Sequence, residues 1–127
     1  MSESLRVLYV DDEADIRMIV EFALEDEEGL EIRLCASGAE ALAMVADYRP
    51  DIVLLDVMMP NMDGPTTLQH MKTIPELAQT RFAFMTAKVQ PQEVSHLKML
   101  GAVTVIAKPF DPMTLAEKVR AIGETHA

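Results

Sequence analysis

Hydrophobic and polar positions follow a pattern along the chain that predicts five strands, each followed by a helix. Runs of strand length occur at residues 5–10, 30–35, 51–56, 81–86 and 103–107. The run at 30–35 alternates apolar with charged residues, which indicates an edge strand. The run at 51–56 is the most apolar, which is typical of a strand buried on both faces of a parallel sheet. We therefore expect it to be central.

Helical patterns fill the intervals between these strands. The first helix is predicted from about residue 14 to residue 26, with Gly29 as the residue that ends it. Its apolar stripe comprises Ile16, Ile19, Val20 and Ala23. Ser37 caps the second helix, with Glu40 at capping-box spacing. The other three helices begin near prolines 65, 91 and 112, since proline is tolerated in a first turn.

Five βα units in one chain predict an α/β fold with a parallel five-stranded sheet and helices on both faces. The chain has 127 residues, of which 50% are hydrophobic, and this is enough for one buried core. No internal repeat or linker composition interrupts the pattern. We therefore expect a single domain over residues 1–127.

Charge and composition exclude several classes of function. The chain carries 11 Lys and Arg against 21 Asp and Glu, for a formal net charge of -10, which disfavours binding to nucleic acid or to an anionic membrane. The single cysteine, Cys35, excludes an internal disulfide and a Cys-rich zinc site. No apolar run is long enough to span a membrane. We expect a cytoplasmic protein, present as a monomer or a transient dimer.

Chemically informative residues follow the predicted strands, at the edge where open α/β sheets bind ligands. Converging carboxylates repel one another unless a cation is present, and Mg²⁺ prefers oxygen ligands. A hydroxyl and an ammonium at the same edge suit phosphate oxygens. These groups therefore predict phosphoryl transfer onto an aspartate. The strand-end residues are Asp11, Asp12, Glu13, Asp56, Thr86, Ala87, Lys108 and Pro109.

The same residues, at this spacing, resemble the receiver domains of two-component response regulators. The resemblance covers nearly the whole chain from residue 5 to the last helix. The residues that carry it are Asp11-Asp12, Asp56 in LLDVMMPNMDG, Thr86-Ala87 and Lys108-Pro109-Phe110. It implies a flavodoxin-like, doubly wound (βα)5 fold with strand order 2-1-3-4-5.

The function implied by the resemblance is a phosphoaspartate switch in a two-component phosphorelay. Such a switch accepts a phosphoryl group from a histidine kinase or histidine phosphotransferase and signals to a downstream protein, here unknown, by a conformational change. It catalyses its own phosphorylation and dephosphorylation but serves mainly in signalling.

Residue roles are also implied by the resemblance. Asp56 would be the phosphoacceptor, Thr86 and Lys108 would bind the phosphoryl oxygens, and the backbone N–H of Ala87 would assist them. Mg²⁺ would be the cofactor. Its ligands would be the carboxylates of Asp12 and Asp56 and the backbone carbonyl of Met58, with Asp11 acting mainly through water.

One position departs from the receiver pattern. The residue three before the lysine is often Tyr or Phe in receivers, and here it is Val105, which has no large rotameric swing. The Lys108–Pro109 bond resembles the cis peptide of the family. We therefore expect the phosphorylation chemistry of a receiver, with a different coupling to the face formed by helix 4, strand 5 and helix 5.

Other uses of this architecture fit the residues less well. A haloacid-dehalogenase-like phosphatase needs a second acid two residues after its nucleophile, where this chain has Met58. A flavodoxin-type FMN carrier needs a phosphate-binding loop after strand one, and Asp11, Asp12 and Glu13 would repel that phosphate. Dinucleotide and P-loop glycine motifs are absent from the sequence. The alternative left open is a degenerate receiver that serves as a phosphorylation-independent protein-binding module.

A candidate docking surface lies on the first predicted helix. Met18 and Phe22 are four residues apart and fall on the side opposite the apolar stripe. This helix resembles the one that, in receivers, packs against the helical bundle carrying the phosphohistidine. The pair therefore predicts a contact for the phosphodonor.

Overall fold

The computed structural model describes residues 4–124. The strands are β1 (Leu5–Val10), β2 (Leu30–Cys35), β3 (Ile52–Asp56), β4 (Arg81–Thr86) and β5 (Ala102–Ala107). The helices are α1 (Ala14–Leu24), α2 (Gly38–Tyr48), α3 (Gly64–Met71), α4 (Pro91–Met99) and α5 (Leu115–Gly123). A short 3₁₀ helix at Pro75–Leu77 precedes β4 and was not predicted. The five predicted βα units are confirmed.

The strands form one parallel sheet in the order β2-β1-β3-β4-β5. β3 is the middle strand and all five of its residues are buried, while β2 lies at an edge. Both placements confirm the reading of the apolar runs. Because the strands are parallel, their carboxyl ends meet along one edge of the sheet.

Two apolar cores lie on opposite faces of the sheet. Alternate residues of β1 point to opposite sides, so Val7 and Tyr9 join one core while Leu8 and Val10 join the other. The first core is completed by α1 and α5, and the second by α2, α3 and α4. This alternation fixes which side chains of a strand end can reach one another. Within residues 4–124, no helix has the length and apolar character needed to cross a membrane.

The predicted stripe of α1 was wrong at one position. Val20 and Leu24 are fully buried, whereas Ile19 is 40% exposed. Successive residues of a helix are about 100° apart, so Ile19 lies on the flank of the face that Val20 presents to the sheet. Leu24 is therefore the buried residue of α1 that the predicted stripe lacked, and Ile19 forms part of the surface.

The helix ends depart slightly from the predicted bounds. α1 ends at Leu24, and Gly29 follows in a turn with a φ of 84°, which favours glycine. α5 begins at Leu115, since residues 112–114 form a turn. The predicted Ser37 cap of α2 is confirmed, because its Oγ accepts a bond of 3.0 Å from the Glu40 N–H.

Candidate functional site

Three aspartates come together at the carboxyl ends of β1 and β3. These strands are neighbours in register, with Val10 opposite Leu55, so the residue after β1 lies beside the end of β3. One carboxylate oxygen each from Asp11, Asp12 and Asp56 lies within 4.8 Å of the other two. Asp11 is fully buried and Asp56 is 5% exposed, while Asp12 is open to solvent. The predicted convergence of acids is thus present in the fold.

Lys108 bridges two of these acids from the end of β5. Its Nζ lies 3.1 Å from Asp11 Oδ2 and 3.2 Å from Asp56 Oδ1, and a third acid, Glu13, lies 3.9 Å away. The backbone N–H of Lys108 donates to the Thr86 carbonyl at 2.9 Å, and the Lys108–Pro109 peptide is cis. One ammonium faces several carboxylates, so these groups together carry negative charge.

Burial changes the acidity of the central groups. It raises the pKa of Asp56 to about 6, and the charge of Asp11 adds to this, while Lys108 partly opposes it. Burial alone would lower the pKa of Lys108, but its hydrogen bonds and charge interactions with Asp11 and Asp56 outweigh burial and raise it. Lys108 is therefore cationic at neutral pH, when Asp56 is mostly ionised.

Asp11 is held by donors that sequence reasoning missed. The Tyr9 hydroxyl donates to Oδ2 at 2.7 Å, and the Glu13 N–H donates to Oδ1 at 2.9 Å. Arg17 Nη1 donates to the Asp11 carbonyl at 2.7 Å. Burial and the neighbouring Asp11 carboxylate raise the pKa of Tyr9. The spacing of two residues between Tyr9 and Asp11 was the available signal, because it puts both side chains on the same side of the strand.

A cleft of about 450 Å³ opens beside these acids. The other predicted site residues border it, since Met58, Thr86, Ala87 and Lys108 line it together with Asp56. The Thr86 Oγ accepts a bond of 3.0 Å from the Lys88 N–H, which leaves the hydroxyl hydrogen able to donate. Apolar side chains at less buried positions also line it, among them Ile16, Ile19, Phe110 and Pro112, and so do the exposed charged residues Glu13 and Lys88. The cleft therefore combines buried polar groups with a partly apolar, partly charged rim.

Gly64 holds the chain that follows β3 close to the site. Its N–H donates to the Val57 carbonyl at 2.9 Å, and Asp63 caps α3 by accepting from the Thr66 N–H at 2.8 Å. A Cβ on Gly64 would collide with the backbone carbonyl oxygen of Asp56. The loop after Asp56 can therefore fold back onto the strand end because residue 64 has no side chain.

The donor atoms of the cluster fit a hard divalent cation. Carboxylate oxygens are the ligands that Mg²⁺ prefers, and it combines a few of them with water. Burial and the neighbouring carboxylates raise the pKa of Asp56, and a nearby positive charge would offset the energetic cost of both. An exposed member, Asp12, leaves one side of the cluster open to solvent.

This fold and site are those of a receiver. The chain belongs to the response regulator receiver domain family, whose model matches residues 7–120. Among curated relatives, it is 38% identical to sporulation initiation phosphotransferase F of Bacillus subtilis (strain 168), over 91% of this chain and 90% of that protein. Other relatives are longer, and the chain spans 52% of one and 22% of another.

Solved structures agree with this assignment. Chemotaxis protein CheY4 of Vibrio cholerae superposes with a TM-score of 0.86 at 32% identity, covering 94% of this chain and 98% of that one. A chain of the CheX–CheY–BeF3–Mg²⁺ complex from Borrelia burgdorferi superposes with a TM-score of 0.82 at 29% identity, covering 94% of this chain and 90% of that one. The receiver resemblance and the flavodoxin-like strand order are thus confirmed.

Proposed function

We propose that this receiver is a phosphoaspartate switch in which Asp56 accepts a phosphoryl group from the phosphohistidine of a kinase or phosphotransferase. One observation carries the proposal. The buried carboxylate of Asp56 lies 3.2 Å from the Lys108 ammonium in a cleft that Thr86 also lines. A nucleophile, a cation and a hydroxyl donor therefore border the same space, as phosphoryl transfer requires.

The chemistry assigns a task to each of these side chains. An Asp56 oxygen attacks phosphorus, the phosphorus–nitrogen bond of the donor breaks, and its electron pair stays on the imidazole. Because the pKa of Asp56 is about 6, the nucleophile is mostly ionised at neutral pH. The Lys108 ammonium, now shared between two carboxylates, would move onto a phosphoryl oxygen, while the Thr86 hydroxyl and the Ala87 N–H donate to the others.

Mg²⁺ is the cofactor that we propose for the acid cluster. The carboxylates of Asp12 and Asp56 and the carbonyl of Met58 would hold it, with Asp11 acting through water. When bound, Mg²⁺ would neutralise charge on the acids and on the incoming phosphoryl oxygens. The similarity to the CheX–CheY–BeF3–Mg²⁺ complex from Borrelia burgdorferi, at 29% identity, supports this choice.

The phosphodonor would dock on an apolar patch beside the cleft. Phe22 is 78% exposed and Met18 62%, and both line a groove with Met113, which is 87% exposed. Ile19 and Pro112 border both this groove and the cleft, so the two are continuous. A contiguous apolar patch of this kind is typical of a protein-binding surface. We infer that the helical bundle carrying the phosphohistidine packs here.

The remaining expectations stay predictions. They are the single domain over residues 1–127, the cytoplasmic location, and a monomer or transient dimer with neither nucleic acid nor membrane as partner. A downstream protein that binds the switch is a further prediction.

Val105 marks a difference from many receivers on the face formed by α4, β5 and α5. It is half-buried on β5 and packs against the core formed with α2, α3 and α4. Because residue 105 is valine, this face has no aromatic ring at that position that could change its orientation on phosphorylation.

Labelling by a small phosphodonor tests the proposal. With Mg²⁺ and acetyl phosphate, the protein should gain one base-labile phosphoryl group, and either Asp56→Asn or chelation of the metal should abolish labelling. Asp47→Asn, which changes an exposed aspartate of α2, is the matched control and should label normally. Wild-type labelling of Asp56→Asn would refute the assigned nucleophile. An unlabelled wild type would favour the degenerate receiver.

A further inference from the structure

A buried phenol lies beneath the acid cluster. Tyr9 is fully buried in the core formed with α1 and α5, among apolar side chains such as Val20 and Leu115. Its hydroxyl donates to Asp11 Oδ2 at 2.7 Å, the shortest contact of that carboxylate in the described residues. A buried hydroxyl is costly unless it is paired, so this bond links the packing of the core to one acid of the site.

The two oxygens of Asp11 are used unequally. Oδ2 accepts from both the Tyr9 hydroxyl and the Lys108 ammonium, whereas Oδ1 accepts from the Glu13 N–H. Each carboxylate oxygen offers about two acceptor sites. These bonds therefore engage both sites of Oδ2 and leave one site of Oδ1 for another donor.

We propose that Tyr9 is a positioning residue, which holds the Asp11 carboxylate so that Oδ1 keeps an open acceptor site for the hydration shell of a divalent ion. This inference rests on the proposed function, because it concerns the same acid cluster and Mg²⁺. Two of the three donors are rigidly placed, since Tyr9 is packed in the core and the Glu13 N–H belongs to the backbone. Lys108, the third, is the flexible one.

Loss of the phenol hydroxyl should affect Asp11 in two ways. Oδ2 would lose its shortest hydrogen bond, so the buried carboxylate would be less well compensated and free to turn. Lys108 would then become the main partner of Oδ2. Groups that orient metal-site ligands in this manner typically contribute about 10- to 100-fold to metal affinity.

The test titrates two tyrosine variants with Mg²⁺ in the absence of a phosphodonor. The chemical shifts of backbone amides in NMR spectra monitor binding and give the Kd. Tyr9→Phe should raise the Kd for Mg²⁺ about tenfold or more. Tyr48→Phe is the matched control, since the Tyr48 hydroxyl also bonds within the fold, but to the carbonyls of Val7 and Glu31. It should leave the Kd within about twofold of the wild type. An unchanged Kd in a folded Tyr9→Phe protein would overturn the inference.

A double-mutant cycle separates positioning from packing. If Tyr9 acts through Asp11, then Tyr9→Phe should have no further effect on the Kd in an Asp11→Ala background, which leaves no side-chain acceptor for the Tyr9 hydroxyl. An undiminished effect there would overturn the inference, because it would show that Tyr9 acts through the core. A wild type that does not bind Mg²⁺ would instead contradict the metal site of the proposed function.

A spectroscopic measurement leaves Tyr9 in place. The chain contains two tyrosines and no tryptophan, so Tyr48→Phe makes Tyr9 the sole strong emitter. Hydrogen bonding to a carboxylate quenches tyrosine emission. Because the inference has Tyr9 hold Asp11 in place before and after Mg²⁺ binds, the Tyr9 emission should stay quenched across the titration that NMR follows. A rise in Tyr9 emission with the Kd of the NMR titration would show that the bond to Asp11 breaks when the ion binds, and would overturn the inference.

Discussion

Replacing Asp56 by asparagine should stabilise the folded protein at neutral pH when no divalent metal is present. Asp56 is 5% exposed and its carboxylate lies near Asp11 and Asp12, so its ionisation is more costly in the folded chain than in the unfolded one. Lys108 offsets only part of this cost, because the pKa of Asp56 is still raised. Asparagine keeps the shape of the side chain but never ionises.

The size of the effect follows from the pKa. It rises from an ordinary value of 3.8 to about 6, and each pKa unit corresponds to about 1.4 kcal/mol, so ionised Asp56 lowers the free energy of unfolding by about 3 kcal/mol. Between pH 4 and pH 6 the folded protein holds a proton that the unfolded chain has released, so wild-type stability falls as the pH rises. The advantage of Asp56→Asn should therefore be full near pH 7 and vanish below about pH 4.

Urea unfolding in EDTA, followed by circular dichroism across this pH range, measures the difference. Asp47→Asn, on the exposed side of α2, should stay within about 0.5 kcal/mol of the wild type. Saturating Mg²⁺ should stabilise the wild type more than Asp56→Asn and narrow the gap. A gap that does not change with pH, or a variant less stable than the wild type at pH 7, would refute the reasoning.

Three other variants test separate parts of the structure. The double variant Met58→Asn with Lys88→Glu should lose its phosphoryl group faster than the wild type, measured by decay of the label. Met58 and Lys88 border the cleft, and neither has an amide or carboxylate that could orient an attacking water. Equal decay in the variant and the wild type would contradict this. Phe22→Ala should weaken transfer from the cognate histidine protein by about 1–2 kcal/mol while acetyl phosphate labelling is unchanged, with the exposed Met99→Ala of α4 as control. Loss of both activities would show that Phe22 is structural. Leu24→Ala should cost about 2–5 kcal/mol in urea unfolding, and a cost near zero would contradict its burial.

Periodicity was sufficient to predict the order of the elements and the location of the acid cluster. Strand ends are positions in the sequence, so Asp56 and Lys108 could be assigned to one edge before any contact was known. The apolar run of β3 likewise indicated its central place, because only a strand covered on both faces tolerates it. The role of each acid came from the family resemblance and still awaits the labelling experiment.

What escaped prediction depends on angles and distances between elements. Ile19 was wrongly placed in the buried stripe of α1, and Leu24 was left out of it, because the rotation of α1 against the sheet is set by tertiary packing. In the sequence, Tyr9 resembled any other residue of an apolar strand. Its hydrogen bond to Asp11 depends on the backbone staying extended beyond the end of β1, which the sequence pattern does not specify. Gly64 gave no signal beyond that of a helix start, although its backbone lies against Asp56.

The close approach at Gly64 has a consequence for how this protein can vary. At Gly29 the space around a Cβ is empty, so a residue that accepts a left-handed backbone, such as asparagine, is tolerable there. At Gly64 even the methyl group of alanine meets backbone, which cannot swing aside as a side chain does. In a library of random substitutions selected for signalling, position 29 should accept a few residue types and position 64 should stay glycine. The turn after α1 can thus vary in sequence while residue 64, which lies against the loop that follows Asp56, stays glycine.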